Sequence, residues 1–339
     1  MPDPVLAVEG LTTDIATQHG VIRAAKDISF ELMRGETLGI VGESGSGKTI
    51  SMLSILGLLP SRVARITSGS VTFDGQDITR ASSRKLKKLR GTGLGVVFQD
   101  PMTSLNPVLT IGYQLGEAIR AHNPSIGRAA TKGRAAELLD LVGVPNAPVR
   151  LDQFPHEFSG GMKQRAVIAM AIANEPKVLI ADEPTTALDV TIQAQILEVL
   201  QRAQIETSAA LILITHDLGV IAEMANRVIV MYAGHMVETG DVSDVFHDPR
   251  HPYTVGLLSS LPSLDSDAER LIPIPGSPPG GLDVPSGCPF HPRCAMSAGR
   301  SLCTDEEPPL LAFSTGRASA CHFHEEVPAW QASTKEGQT

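Results

Sequence analysis

Gly42-Glu43-Ser44-Gly45-Ser46-Gly47-Lys48-Thr49 sets glycines, a lysine and a hydroxyl in the spacing G-x-x-x-x-G-K-[ST]. Glycines let successive backbone N–H groups converge on phosphate oxygens, and a helix beginning at the end of such a loop adds positive potential. In that setting Lys48 reaches the β- and γ-phosphates of a nucleotide and the Thr49 hydroxyl ligates Mg2+. The chain contains no Asn-Lys-x-Asp element for reading guanine, so the expected nucleotide is ATP. An ordinary Gly/Ser turn would need the glycines but not Lys48 and Thr49 ahead of a helical pattern.

A second group of polar residues sits at strand ends. Val178-Leu179-Ile180-Ala181 runs into Asp182-Glu183, and two carboxylates closing a buried strand are costly unless they meet a cation or a reacting group. Asp182 fits the Mg2+-associated acid of a phosphate-loop enzyme; Glu183, one residue on, can orient or deprotonate an attacking water. Gln99 follows the apolar run Gly95 to Phe98, and His216 follows Leu211 to Thr215, the end at which open α/β sheets bind ligands. Each of these two alone is as well explained by a structural role. Ser159-Gly160-Gly161-Met162 opens a helical run, Ala166 to Ala173, and offers N–H groups and a hydroxyl to an anion, although the same pattern serves as a plain helix cap.

Positioning these groups requires strands that alternate with helices. Thr37 to Val41, Gly93 to Phe98, Lys177 to Ala181, Leu211 to Thr215 and Arg227 to Met231 read as short buried strands. Ile50 to Leu59, Arg134 to Val142 and Thr191 to Ile205 read as helices. Alternation of this kind predicts an α/β core with parallel pairing, and Val5 to Ile15 with Val21 to Ser29 predicts an antiparallel β flank. With 339 residues the chain has room for about two domains. Lys plus Arg number 28 against 37 Asp plus Glu, a net charge of −9 that argues against binding driven by nucleic-acid phosphates. The most apolar stretch, Ala209 to Val230, is broken by His216, Asp217, Glu223 and Arg227, so no membrane span is expected. MPDPVLAVEG lacks a basic region followed by an apolar core, which points to residence in a reducing cytoplasm. Arg84, Lys85, Lys87, Lys88 and Arg90 form a basic helical face, read as solvated before any contact with lipid headgroups is considered.

Taken in order, these motifs resemble the ATP-binding subunits of ABC transporters. A Walker A loop at Gly42 to Thr49, a Q-loop at Gln99 and a signature at Ser159 to Met162 lead to Walker B at Asp182 with its Glu183. A D-loop at Ala187-Leu188-Asp189 and a switch histidine at His216 complete the set. The resemblance covers roughly residues 5 to 245. It implies a RecA-like core with an antiparallel flank and a helical subdomain at about 100–175. It also implies two subunits sandwiching two ATP molecules, each held between the Walker A loop of one and the signature of the other. The catalytic set is then Glu183, His216, Gln99 and Lys48, and the Mg2+ ligands are Thr49, Gln99 and Asp182. Asp100 to Gly112 is expected beside the membrane partner. Phe158 and Met162 depart from the usual signature residues, and the adenine-stacking aromatic has no Tyr or Trp counterpart; His19 stands nearest its place.

Prolines and all the cysteines concentrate late in the chain. Arg250-His251-Pro252-Tyr253-Thr254 and Gly287-Cys288-Pro289-Phe290-His291-Pro292-Arg293-Cys294, with Cys303 and Cys321, resemble the C-terminal extension of oligopeptide and dipeptide importer ATPases, a branch that also serves nickel, opines and glutathione. The expected layout is an ATP-binding module over 1–245, an extension over 246–325 and a flexible tail from 326. The cysteines are separated by five, eight and seventeen residues, unlike paired C-x2-C zinc knuckles, and cytosolic disulfides are disfavoured. Four thiolates suit a [4Fe–4S] cluster, which the resembled branch also implies; zinc, with His291, His322 or His324, and unliganded thiols are the alternatives. The resemblance further implies two transmembrane permease subunits, a second ATP-binding subunit (a homologue in a heterodimer) and an extracytoplasmic binding protein, at the cytoplasmic face of the inner membrane. Two other classes make different demands on the sequence. A mechanochemical ABC protein acting on DNA or ribosomes would carry a coiled-coil insertion or two cassettes, which this chain does not show. An iron–sulfur redox regulator would bind nucleotide without using its hydrolysis.

Overall fold

The computed structural model describes residues 3–186, 188–260 and 273–336. Its strands are β1 (Leu6–Thr17), β2 (Gly20–Leu32), β3 (Thr37–Val41), β4 (Ala64–Phe73), β5 (Gln76–Asp77), β6 (Leu94–Val97), β7 (Val178–Asp182), β8 (Ala210–Ile214), β9 (Arg227–Tyr232), β10 (His235–Asp241), β11 (Leu311–Ser314) and β12 (Arg317–Ser319). The α-helices are α1 (Lys48–Ile55), α2 (Ser83–Leu89), α3 (Pro101–Ser104), α4 (Ile111–His122), α5 (Arg128–Leu141), α6 (Ala147–Arg150), α7 (Gly160–Ile172), α8 (Val190–Thr207), α9 (Leu218–Met224), α10 (Val242–His247), α11 (Pro252–Ser259), α12 (Ser301–Asp305) and α13 (Val327–Glu336). They fall into two compact units. One takes the chain up to Ala7, Glu31–Thr37 and Val71–Ile214; the other takes Val8–Phe30, Leu38–Ser70 and the chain from Thr215 onward.

In the first unit β8, β7 and β6 lie side by side in parallel, with Val96 opposite Ile180 and Ile180 opposite Ile212. Every residue of β7 and β8 is buried, as unbroken apolar runs require when both sheet faces are covered. α8 turns Ile196, Val199, Leu200 and Ala203 inward at helical spacing. α7 packs against α3, α4, α5, α8 and β6, and its run of Ala166, Val167, Ile168, Ala169 and Ile172 is buried accordingly. α2, carrying the basic face, buries no residue.

In the second unit β3 pairs in parallel with β9, setting Val41 opposite Val230, and β9 pairs antiparallel with β10. β12 then adds to β10, with Ser319 opposite Glu238, and β11 to β12. The C-terminal extension thus continues a sheet. It also has cores of its own. Tyr232 lies 4.7 Å from Tyr253 and 5.2 Å from Phe290 between ring centroids. Val255, Met296 and Val327 form a second cluster, against which Cys294, Cys321, Phe323 and Trp330 pack. β1 and β2 are joined by the turn Gln18–His19 and lie in the order β2-β1-β4.

Three expectations need correction. The first helix begins at Lys48 and ends at Ile55 rather than Leu59, because Gly57, at φ 60°, takes the left-handed conformation that terminates helices. The helix read from Arg134 starts at Arg128, behind a Gly127 cap that offers no side-chain hydrogen bond. The tail read as flexible holds α13 over its described part, anchored by a fully buried Val327. No helix among the described residues is long and apolar enough to cross a membrane.

Candidate functional site

The phosphate loop follows β3 directly and enters α1 at Lys48. Two of its glycines are fixed by neighbouring backbone. A Cβ on Gly42 would lie 2.2 Å from the Met231 carbonyl oxygen, and one on Gly47, at φ 99°, 2.3 Å from that of Ala24. A Cβ on Gly45 would meet nothing within 4 Å, so the loop borders open space there. Ser44 and Thr49 are exposed, whereas Ser46 is buried and its hydroxyl has no hydrogen-bond partner among the described residues. The buried Lys48 ammonium donates to the carbonyls of Gly42 (2.7 Å) and Glu43 (3.0 Å). A lysine at the start of a helix, behind a glycine loop, is the arrangement of a polyanion site. His19 is exposed in the β1–β2 turn. His216, also exposed, follows Thr215, whose N–H donates to Ile40 of β3 at 3.2 Å.

In the first unit Gln99 and Glu183 meet: the Gln99 amide donates to Glu183 Oε2 at 3.0 Å. The Thr186 hydroxyl donates to the same oxygen at 2.9 Å. Glu183 adopts a left-handed backbone, φ 47°, with its N–H donating to Ile214 of β8 at 2.9 Å; strain of this kind in a non-glycine residue persists where the surroundings impose it. Asp182 is buried at the end of β7. The Ser159 hydroxyl accepts from the Met162 N–H at 3.3 Å, and the Asp189 carboxylate from that of Ile192 at 2.9 Å, so both act as helix caps, for α7 and α8. Gly160 and Gly161 form the first turn of α7, where Ile192 lies 2.8 Å from the position a Gly161 Cβ would take. Ala187, read as part of the D-loop, lies outside the described residues.

The four cysteines line one small cavity in the second unit, together with His251, Phe290, His291 and His322. Burial pushes the Cys288 thiol up to about 11 and that of Cys321 up to about 12, and the neighbouring thiols add to both shifts. Ionising such a set is unfavourable until a cation compensates it. Among the described residues no three His, Cys, Asp or Glu side chains converge on a point fit for one metal ion. A mononuclear zinc site needs that convergence, with each sulfur about 2.3 Å from the ion.

Residues the sequence did not single out complete these groups. Thr186 stands three places after Glu183, a spacing that could have suggested it. Arg293 and Tyr253, both within the C-terminal motifs, bind Glu43 of the phosphate loop across 250 and 210 residues, a pairing that no local pattern marks.

Fold and loop together define a phosphate-loop ATPase of the ABC class. A profile of the ABC transporter family matches residues 25–186, and one of the oligopeptide/dipeptide transporter C-terminal region matches 237–300. The chain is 52% identical to the dipeptide transport ATP-binding protein DppD of Bacillus subtilis, over 86% of this chain and 87% of that one. To DppD of Escherichia coli it is 49% identical, over 94% and 96%. Among solved structures, the ATP-binding cassette MJ0796 in a dimeric post-hydrolysis state bound to ADP and Pi superposes with a TM-score of 0.62 at 28% identity, covering 70% of this chain and 98% of that one. CbiO1 of Clostridium perfringens, part of the complex cbiONQ, gives 0.62 at 31% identity, over 72% and 91%. The chain belongs to the family of ABC transporter ATP-binding proteins, in the branch that carries the oligopeptide/dipeptide C-terminal region.

Proposed function

We propose that this protein is the ATP-hydrolysing, energy-coupling subunit of an importer for dipeptides or oligopeptides. The observation that carries this is about 50% identity to dipeptide-transport ATP-binding proteins through both the ATPase module and the extension. ATP comes with Mg2+, which Thr49, Gln99 and Asp182 would hold through a hydroxyl, an amide and a carboxylate and which would neutralise charge on the transferring phosphoryl group.

Roles follow from the chemistry of each residue. Gly42, Ser44, Gly45, Ser46 and Gly47 cradle phosphate, and Lys48 exchanges its carbonyl partners for the β- and γ-oxygens. Glu183 orients the attacking water and accepts its proton; Gln99 and Thr186 hold that carboxylate in place. His216 faces the γ-phosphate end, and His19 stands at the adenine. Ser159, Gly160, Gly161 and Met162, with Asp189, serve a nucleotide bound to the opposed subunit of an ATP-closed pair, a homologous chain in a heterodimer. ATP then favours the closed pair and its hydrolysis the open one.

The partners are two permease subunits and an extracytoplasmic binding protein, with this chain peripheral at the cytoplasmic face of the inner membrane. Exposed Met102 and Val108 support the segment Asp100 to Gly112, after Gln99, as the part that meets a permease. Cys288, Cys294, Cys303 and Cys321, which line one cavity, would hold a [4Fe–4S] cluster, and it would supply cross-links within the extension. Zinc is the alternative metal.

The test is peptide uptake into proteoliposomes carrying the permeases, both ATPase subunits and the binding protein. Uptake requires ATP and collapses in Glu183→Gln while nucleotide binding survives. Uptake unaffected by that substitution would refute the reading.

A further inference from the structure

Glu43 of the phosphate loop is gripped from three directions. Its carbonyl accepts from the Lys48 ammonium at 3.0 Å, and its N–H donates to the Tyr253 hydroxyl at 2.9 Å. Its carboxylate takes a bidentate pair from the Arg293 guanidinium, at 2.6 Å to Oε2 and 3.0 Å to Oε1. Arg293 is itself fixed. It is buried, donates to the Pro275 carbonyl at 2.8 Å and lies 5.7 Å from the Tyr232 ring centroid. Two of the three grips come from the extension: Tyr253 leads α11, and Arg293 stands immediately before Cys294.

A carboxylate in a loop that binds a triphosphate is an electrostatic liability, because like charges at short range in a partly buried setting repel strongly. A planar guanidinium in bidentate register cancels that charge and fixes the residue's orientation. We propose that Arg293 and Tyr253 are positioning residues for ATP. Arg293 neutralises Glu43, Tyr253 holds its backbone, and through them the cysteine-bearing extension sets the nucleotide affinity of the phosphate loop. The proposal rests on the reading of Gly42 to Thr49 as the ATP site.

The test is calorimetric titration of the full-length chain with Mg2+ and the non-cleavable ATP analogue AMP-PNP, with folding checked by circular dichroism. Lys48→Ala reports on the underlying reading: it abolishes binding if the loop holds the nucleotide, and unchanged binding removes that reading and this proposal together. With Lys48→Ala inactive, Arg293→Met weakens binding about tenfold, within the range of direct couplings between neighbouring residues. Glu43→Gln alone binds at least as well as the natural chain, since the repelling charge is gone. The double variant Glu43→Gln/Arg293→Met recovers most of the loss. A purely structural role for Arg293 would leave the double variant as weak as Arg293→Met, and that result, or an Arg293→Met chain binding normally, overturns the proposal. Arg293→Lys, which keeps the charge in a smaller head group, covers the case of a misfolded methionine variant: it retains most affinity if charge neutralisation is the role, and losing it as fully as methionine would count against the proposal.

Discussion

The side-chain amide of Gln99 stands 3.0 Å from the carboxylate of Glu183, and the Thr186 hydroxyl shares the same oxygen. Two donors on one oxygen hold in place a carboxylate whose own backbone is strained, and a carboxylate held beside a nucleotide is suited to orient water. Glu183→Gln is therefore expected to lower the ATP turnover rate by about 100-fold or more, the scale of losing a positioned general base, with AMP-PNP affinity unchanged. Gln99→Ala removes only one support and is expected to cost about tenfold in turnover, within the usual range for coupled neighbours. Phosphate release under saturating ATP checks both, and a Glu183→Gln chain hydrolysing at the natural rate would remove Glu183 from the chemistry.

Gly45 and Gly47 make opposite predictions although both have positive φ, 79° and 99°. Alanine at 47 sets a methyl 2.3 Å from the Ala24 carbonyl oxygen, so backbone must move. The expected destabilisation is about 2–3 kcal/mol, the sum of a left-handed alanine and a backbone clash. Alanine at 45 meets open space and is expected to cost about 1 kcal/mol. Its methyl occupies the open space that the loop borders there, and in a loop that cradles phosphate it is expected to lose nucleotide affinity out of proportion to stability. Denaturant unfolding paired with AMP-PNP titration separates the two; equal stability losses would contradict the packing described around Gly47.

What the sequence made legible follows from how locally each feature is encoded. β3, β7, β8 and β9 are unbroken apolar runs, and the structure finds them at or within about a residue of the boundaries read from periodicity. The start of α5 carries no Ser, Thr, Asp or Asn cap and was missed for that reason. β11 is largely exposed and β12 is three residues long; their place at the sheet edge depends on β10, far back in the chain. Arg293 and Glu43 are the extreme case. Each lies in a motif that could be read locally, but only the fold makes them a pair. The cysteines could be counted from sequence, but their convergence on one cavity could not.

Anaerobically purified protein is expected to carry about four irons and four sulfides per chain, as a cubane held by four thiolates does. Because burial holds Cys288 and Cys321 well above the usual thiol range, loading must displace protons and is expected to weaken as pH falls. Cys321→Ser is expected to lose the cluster's absorbance and to lower the thermal midpoint, since Cys321 also packs on the core of Val255, Met296 and Val327. Iron and sulfide analysis with visible absorption decides it; stoichiometric zinc without sulfide would replace the cluster by the alternative ion.

Glu238 predicts a pH dependence that belongs to folding rather than turnover. It is fully buried on β10 and accepts the N–H groups of Arg250 (2.6 Å) and His251 (3.0 Å), tying the start of α11 to the sheet. Burial nevertheless lifts its carboxyl from 4.5 to about 7. With the folded value above the unfolded one, the folded state binds the proton more tightly. This group's contribution is therefore greatest below pH 4.5, declines as pH rises, and is gone above about 7. The span corresponds to about 3 kcal/mol at most, at 1.36 kcal/mol per unit. Urea unfolding at several pH values between 4.5 and 8 should show stability falling more steeply in the natural chain than in Glu238→Gln, whose neutral amide cannot titrate. The variant is less stable at the acidic end, because its NH2 group faces a backbone donor where the carboxyl had an acceptor. Parallel pH profiles for the two chains would mean that Glu238 is ionised throughout and that the two backbone donors outweigh its burial.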